Sequence, residues 1–164
     1  MTISVHWYTF PTGPHPGGTV GPIIAMDFIT ANNGLSTPEN RVAYPIPIGG
    51  YSYEKWLNLY FTADAGETLS NFRVYGEGPL LNPTTMIYCG VTDTWATPTD
   101  DASDIARRRW AEVTPEDPVM LGEGSFTVSG WMPNYLVLQL YGDYYQLNKG
   151  SWGPEQIIAE WDVT

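Results

Sequence analysis

The sequence predicts an all-β fold: an antiparallel β-sandwich or a barrel-like domain of the jelly-roll or tulip-like kind. Three observations point there. Aromatic residues make up 14% of the chain, with 11 Tyr, 7 Trp and 5 Phe, and such side chains favour the half-buried surface of a sheet. The 164 residues include 17 Gly and 14 Pro, far above the usual ~12% for the two together and too many breakers for a helix bundle. Apolar residues alternate with period two over several stretches, the repeat of a strand with one face on a core.

Nine strands follow from that alternation, separated by turn-rich segments. They span 3–10, 23–30, 41–46, 54–62, 71–75, 86–91, 125–129, 134–141 and 156–164. In 54–62, Leu57, Leu59 and Phe61 share one face, and Trp56, Asn58 and Tyr60 share the other. In 134–141, Leu136, Leu138 and Leu140 oppose Tyr135, Val137, Gln139 and Tyr141. In 156–164, Ile157, Ala159, Trp161 and Val163 line one face against Ile158, Glu160 and Asp162. Large side chains on both faces are unusual for a free-standing sandwich. A covering loop is the simplest way to bury Trp56, Tyr60, Tyr135 and Tyr141; a partner is the other.

One segment breaks the β pattern. Residues 101–113 place Ile105, Ala106, Arg109, Trp110 and Val113 at helical spacing. Asp100 or Asp101 is placed to cap a short helix there, and Pro115 and Pro118 end it. Residues 11–22, PTGPHPGGTVGP, carry four Pro and four Gly and read as part of an extended arm. The expected organisation is a Pro/Gly-rich N-terminal strand and arm over 1–22 and a single β domain over 23–164. A chain of this length buries about 69% of its unfolded surface, enough for a core without disulfide or metal staples.

The net charge is −11 and the pI near 4.3. Such a surface repels phosphate, which argues against nucleic acid and anionic membranes as partners. No apolar run approaches the ~18 residues of a membrane span, and the N-terminus has no basic region before an apolar stretch, as a secretory signal would. The single cysteine, Cys89, sits in an apolar run and reads as a small buried hydrophobe. These features fit an intracellular protein or a virus particle assembled inside a cell.

Catalytic signatures are lacking. His6 lies in the aromatic strand VHWYTF and His15 in the Pro/Gly arm, neither beside a motif that presents a nucleophile. No Cys pair, HExxH or EF-hand loop is present. Asp93, Asp100, Asp101 and Asp104 cluster in sequence and read as a turn and helix cap, with a flexible calcium loop as the alternative. The Gly-rich stretches 76–78 and 122–124 lack the Lys and helix of a phosphate loop and read as hairpin turns. The expectation is therefore no enzyme, no cofactor and no metal. Arg107, Arg108 and Arg109 form the only basic cluster. They suit either local pairing with Asp104 and Glu112 or a charge contact with a neighbouring subunit.

Three stretches carry a resemblance. The run NFRVYGEGPLLNPTTMIYCG at 71–90 leads into VTDTWATP, NYLVLQLY stands at 134–141, and the chain closes on AEWDVT. This layout, over roughly residues 71–164, resembles virion structural proteins of tailed bacteriophages. The resemblance implies a capsid decoration or accessory protein. Its partners would be copies of itself and a major shell protein, and its location the virion, assembled in the host cytoplasm. The interface residues expected on this reading are His6, Trp7, Tyr8 and Phe10, with Arg107–Arg109 as a charge contact. The alternative is a carbohydrate-binding or host-recognition sandwich, stacking sugar rings on Tyr144, Tyr145 and Trp152.

Overall fold

A computed structural model of the chain describes residues 3–23, 27–32, 38–64, 66–77, 86–142 and 156–164. Its strands, in chain order, are β1 (Ser4–Thr9), β2 (Val20–Ile23), β3 (Lys55–Thr62), β4 (Leu69–Glu77), β5 (Ile87–Thr92), β6 (Arg108–Arg109), β7 (Val119–Phe126), β8 (Gly130–Trp131), β9 (Tyr135–Leu140) and β10 (Gln156–Val163). A six-residue helix, α1 (Pro38–Ala43), precedes β3, and a 3-10 turn (Trp110–Glu112) follows β6. All pairings are antiparallel.

The strands form two open sheets. The larger runs β2-β1-β3-β9-β5-β6, with β8 also paired to β3, and the smaller runs β10-β4-β7. Their facing sides share one core, with Leu57, Leu59, Phe61, Leu136 and Leu138 from the large sheet against Leu69, Phe72, Val74 and Leu121 from the small one. The alternation read from 54–62 and 134–141 is the reason: those leucines are the inward side of β3 and β9. Trp161 stacks on Phe72 at 5.7 Å and 25°, which places the β10 face carrying Ile157 and Ala159 on the same core.

Three expected elements differ. The strand expected at 41–46 is replaced by α1, which starts at Pro38 with Glu39 in its first turn, the residue types favoured at a helix N-terminus. Of the strand expected at 23–30, residues 24–26 lie outside the described residues, and among the rest only Ile23 lies in a strand, at the end of β2. The strand expected at 125–129 is the tail of β7, so Gly122 and Gly124 lie within a strand rather than in a hairpin turn.

The helix expected at 101–113 is also replaced. Ile105 and Ala106 join an apolar cluster on the outer side of the large sheet, whereas Trp110 and Val113 join the inner core. No helix can serve both sides of a sheet. The chain instead wraps the sheet edge, crossing at β6, where Arg108 and Arg109 pair with Cys89 and Tyr88. The Ser103 hydroxyl accepts from the amides of Ile105 and Ala106 at 3.1 and 2.8 Å, which turns the chain before that crossing.

The arm expected over 1–22 is folded into the large sheet. β1 lies between β2 and β3, and the Pro/Gly loop between β1 and β2 returns across the outer face. Its closure needs glycine: a Cβ on Gly18 would lie 2.1 Å from the carbonyl oxygen of Gly13.

Two buried ionisable groups border this core. Burial holds the Lys55 ammonium down at about 8, with the Asp27 carboxylate acting the other way, and pushes the Cys89 thiol up to about 12. At pH 7 the native state bears the full cost of burying the charged amine. As pH rises from about 8 to 10.5 the unfolded chain binds more protons than the native one, so the Lys55 contribution to stability increases, by about 3 kcal/mol. Cys89 acts with the opposite sign, losing stability as pH rises from 9 toward about 12. Comparing two proteins that share Cys89 isolates the lysine. Relative to Lys55→Met, the parent is expected to gain about 2–3 kcal/mol of stability between pH 7 and pH 10. Urea titrations across that range check it, and a gap independent of pH would contradict it.

Candidate functional site

The outer face of the large sheet carries an aromatic cluster separate from that of the inner core. Ser4, His6 and Tyr8 lie across from Thr62, Tyr60 and Asn58 in the β1–β3 register, and Trp131 on β8 lies across from Tyr60. Two loops cover part of this face. Phe10, Trp56, Ala106, Tyr135 and Val137 are buried there, with Tyr8, Tyr88, Trp95, Ile105 and Trp131 partly buried around them. The covering layer expected over Trp56 and Tyr135 is thus supplied by the chain itself.

The loop over 95–106 is held by a buried polar network. The Glu54 carboxylate is 4% exposed. It accepts from the Trp56 indole N–H at 2.9 Å, the Thr99 amide at 3.4 Å and the Ser103 hydroxyl. Gln139 donates to the carbonyls of Asp101 and Ser52 at 2.7 and 3.0 Å and accepts from the Ser103 amide at 2.9 Å. Buried polar groups are tolerated only when partnered in this way. Gly90 lets the loop lie flat on β5, since a Cβ there would sit 2.0 Å from the carbonyl oxygen of Ile105. Trp95 tilts against Trp56 and donates to the Phe10 carbonyl at 3.1 Å, which ties this loop to the end of β1.

The Pro/Gly loop covers the neighbouring part. His15 stacks on Trp131 at 5.3 Å and 15°, and its amide donates to the Tyr135 hydroxyl at 3.4 Å. Burial raises the Tyr135 phenol above its ordinary range. Beyond this loop the face is open to solvent. His6 is exposed, and Tyr8, Tyr60 and Trp131 are half-buried. Trp131 meets Tyr8 and Tyr60 edge-on at 4.9 and 5.1 Å. His6, Tyr8, Tyr60 and Trp131 therefore form a preorganised aromatic strip, suited to burying apolar or planar groups of another molecule.

The structure divides the expected interface residues. His6 and Tyr8 belong to the strip. Trp7 points to the opposite side, across from Leu59, and packs on the main core. Phe10 is fully buried and has no surface to offer a partner. Trp7→Ala is accordingly expected to lower monomer stability by about 3 kcal/mol, measured by denaturant unfolding; an unchanged midpoint would return Trp7 to the surface.

The arginines have local partners in part. Arg107 pairs with Asp104, and Arg108 binds Asp117 at 2.6 Å and the Glu112 carbonyl at 2.7 Å. Arg109 is exposed and makes no ion pair among the described residues. Tyr144, Tyr145 and Trp152 lie outside the described residues. In the Asp-rich stretch, Asp93 accepts from the Thr94 hydroxyl and Asp104 holds Arg107. Among the described residues, no three His, Cys, Asp or Glu side chains group closely enough for a metal ion. No helix of the described residues is long and apolar enough to cross a membrane.

Sequence reasoning missed Trp131 as part of the strip and His15 as the ring stacked on it. Trp131 stands among turn residues with no alternation to mark its face, and only the return of the Pro/Gly loop places His15 over it. Tyr60 was legible from its alternation with Leu59 and Phe61.

Comparison with known proteins adds no neighbour: no family model, curated protein or solved structure matches the chain.

Proposed function

We propose that this is a non-catalytic structural protein that acts by adhesion within an assembled particle, and that the particle is a virion. The observation that carries the adhesive role is the aromatic strip of His6, Tyr8, Tyr60 and Trp131, held by its own sheet and left open beside two loops that cover the rest of the same face. Aromatic side chains fixed in this way lose little conformational freedom on binding, which is what favours them as anchors. The acidic surface suits a protein that stays soluble until it is placed among partners. The bacteriophage resemblance over 71–164 supports a shell position, as a decoration or accessory protein bound to a major capsid protein and to copies of itself.

The jelly-roll assignment belongs to the same proposal. β9 inserts between β3 and β5 in one sheet while β4 crosses to the other, the kind of sheet-to-sheet crossing found in Greek-key sandwiches.

Protein mass spectrometry of gradient-purified particles from the source tests the reading. A fixed copy number relative to the major shell protein is the expected result. Absence from the particles would overturn it.

A further inference from the structure

Among the described residues, three exposed large apolar side chains lie close in sequence, Val42 in α1 and Tyr44 and Ile48 on the loop that follows it, while Val128 and Val163 are exposed elsewhere. Val42 is 84% exposed and Ile48 66%, with Tyr44 between them at 43%. The segment reads VAYPIPIGG. Pro45 and Pro47 fix their own φ, and each pushes the residue before it, Tyr44 or Ile46, toward extended backbone. That is the chemistry of a polyproline-type ligand, which docks on aromatic surfaces with little ordering cost. The loop is also clamped in place. The Tyr44 carbonyl accepts from the Thr30 amide at 3.0 Å, the Gly49 amide donates to the Gly142 carbonyl at 2.7 Å, and the Gly50 amide closes a turn on the Pro47 carbonyl at 3.0 Å. Its apolar side chains are thus held outward.

We infer that this loop docks on the aromatic strip of a second copy of the chain, with Tyr44, Pro45, Pro47 and Ile48 set against His6, Tyr8, Tyr60 and Trp131. The inference deepens the adhesive role proposed above by naming the partner and both halves of the contact. The two halves occupy different places in the fold. The loop leads into the start of β3 through the Tyr51–Tyr141 bridge, and Tyr60 lies toward the far end of β3. Neither half covers the other in the one molecule, since Tyr44, Pro45, Pro47, Ile48 and His6 are all exposed, and pairing of two unlike surfaces is heterologous. Such contacts build chains or closed rings rather than simple dimers. A single loop is small beside the roughly 1,600 Å² of a standard interface, so each contact is weak and association requires high protein concentration. Each copy also carries a net charge of −11, so copies repel at low salt and approach as salt screens them.

Sedimentation velocity on the full chain, over a range of concentration and at low and high salt, tests this. The wild type is expected to grow past dimer with concentration, and further at high salt. Ile48→Glu removes the ligand half at a solvent-exposed position. His6→Glu combined with Tyr60→Glu removes the receptor half, and His6→Glu alone, also at an exposed position, provides the milder form. Each variant alone is expected to stay monomeric, with near-ultraviolet circular dichroism confirming its fold. Mixed, the loop variant and the strip variant retain one complementary pair of surfaces and are expected to form a one-to-one dimer and nothing larger. A wild type that stays monomeric at high salt, or growth unchanged in either folded variant, would overturn the inference. So would folded variants that fail to pair on mixing. Presence in purified particles without this growth sinks the inference and leaves the structural role standing; growth without presence in particles does the reverse.

Discussion

Replacing Gly90 by alanine is expected to unseat the loop over 95–106 and to destabilise the protein by about 2–4 kcal/mol. The added Cβ would fall 2.0 Å from the Ile105 carbonyl oxygen, a backbone atom that cannot swing aside as a side-chain tip does, so β5 or the loop must move. Ile105 and Ala106 lie on the outer cluster with Trp56 and Trp95, and lifting them lets water reach those indoles. The expected readout is a red-shifted tryptophan emission with faster amide exchange across 95–106, while the inner core, formed by other residues of β3, β4 and β9, stays protected. An unchanged unfolding midpoint would mean that the loop does not lie on β5 as described.

Removing the Glu54 carboxylate is expected to cost as much or more. Glu54→Ala leaves the Trp56 indole N–H, the Thr99 amide and the Ser103 hydroxyl without their acceptor. Unsatisfied buried donors cost about 1–3 kcal/mol each, and the sum is tempered by relaxation, giving an expected loss of about 3–5 kcal/mol. Glu54→Gln keeps one acceptor oxygen in the same shape and is expected to lose about half as much. Thermal and urea unfolding of the two variants measure the order. Equal small losses in both would show that the carboxylate is hydrated rather than sealed beneath the loop.

These two sites mark the boundary of what the sequence made legible. Period-two alternation placed Leu57, Leu59 and Phe61 on a core because β3 and β9 are long strands whose inward sides obey one rule. The same alternation put Trp56 and Tyr60 on the other face and required a cover. It could not identify that cover, because 95–106 has no periodicity and is held, partly through its own Ser103, by Glu54 and Gln139, residues distant in sequence. Helical spacing at 101–113 misled for a physical reason: Ala106 and Trp110 serve opposite sides of one sheet, and a spacing count assumes a single side. The arm at 11–22 was extended on composition alone, whereas Gly18 and the His15–Trp131 stack fold it back. In the candidate site, His6 and Tyr8 were legible from their strand. Trp131 and the loop carrying Tyr44 and Ile48 were not, since exposure is a property of the assembled fold.

The central claim is that the strip of His6, Tyr8, Tyr60 and Trp131 is the surface by which this protein adheres. Radical footprinting of the same chain, free in solution and in purified particles, with modification read residue by residue, tests it most directly. Strong modification of Tyr8, Tyr60 and Trp131 in the free chain and protection in the particle is the expected result, with buried Trp56 and Phe72 unreactive in both. Equal modification of the strip in both states would contradict the claim.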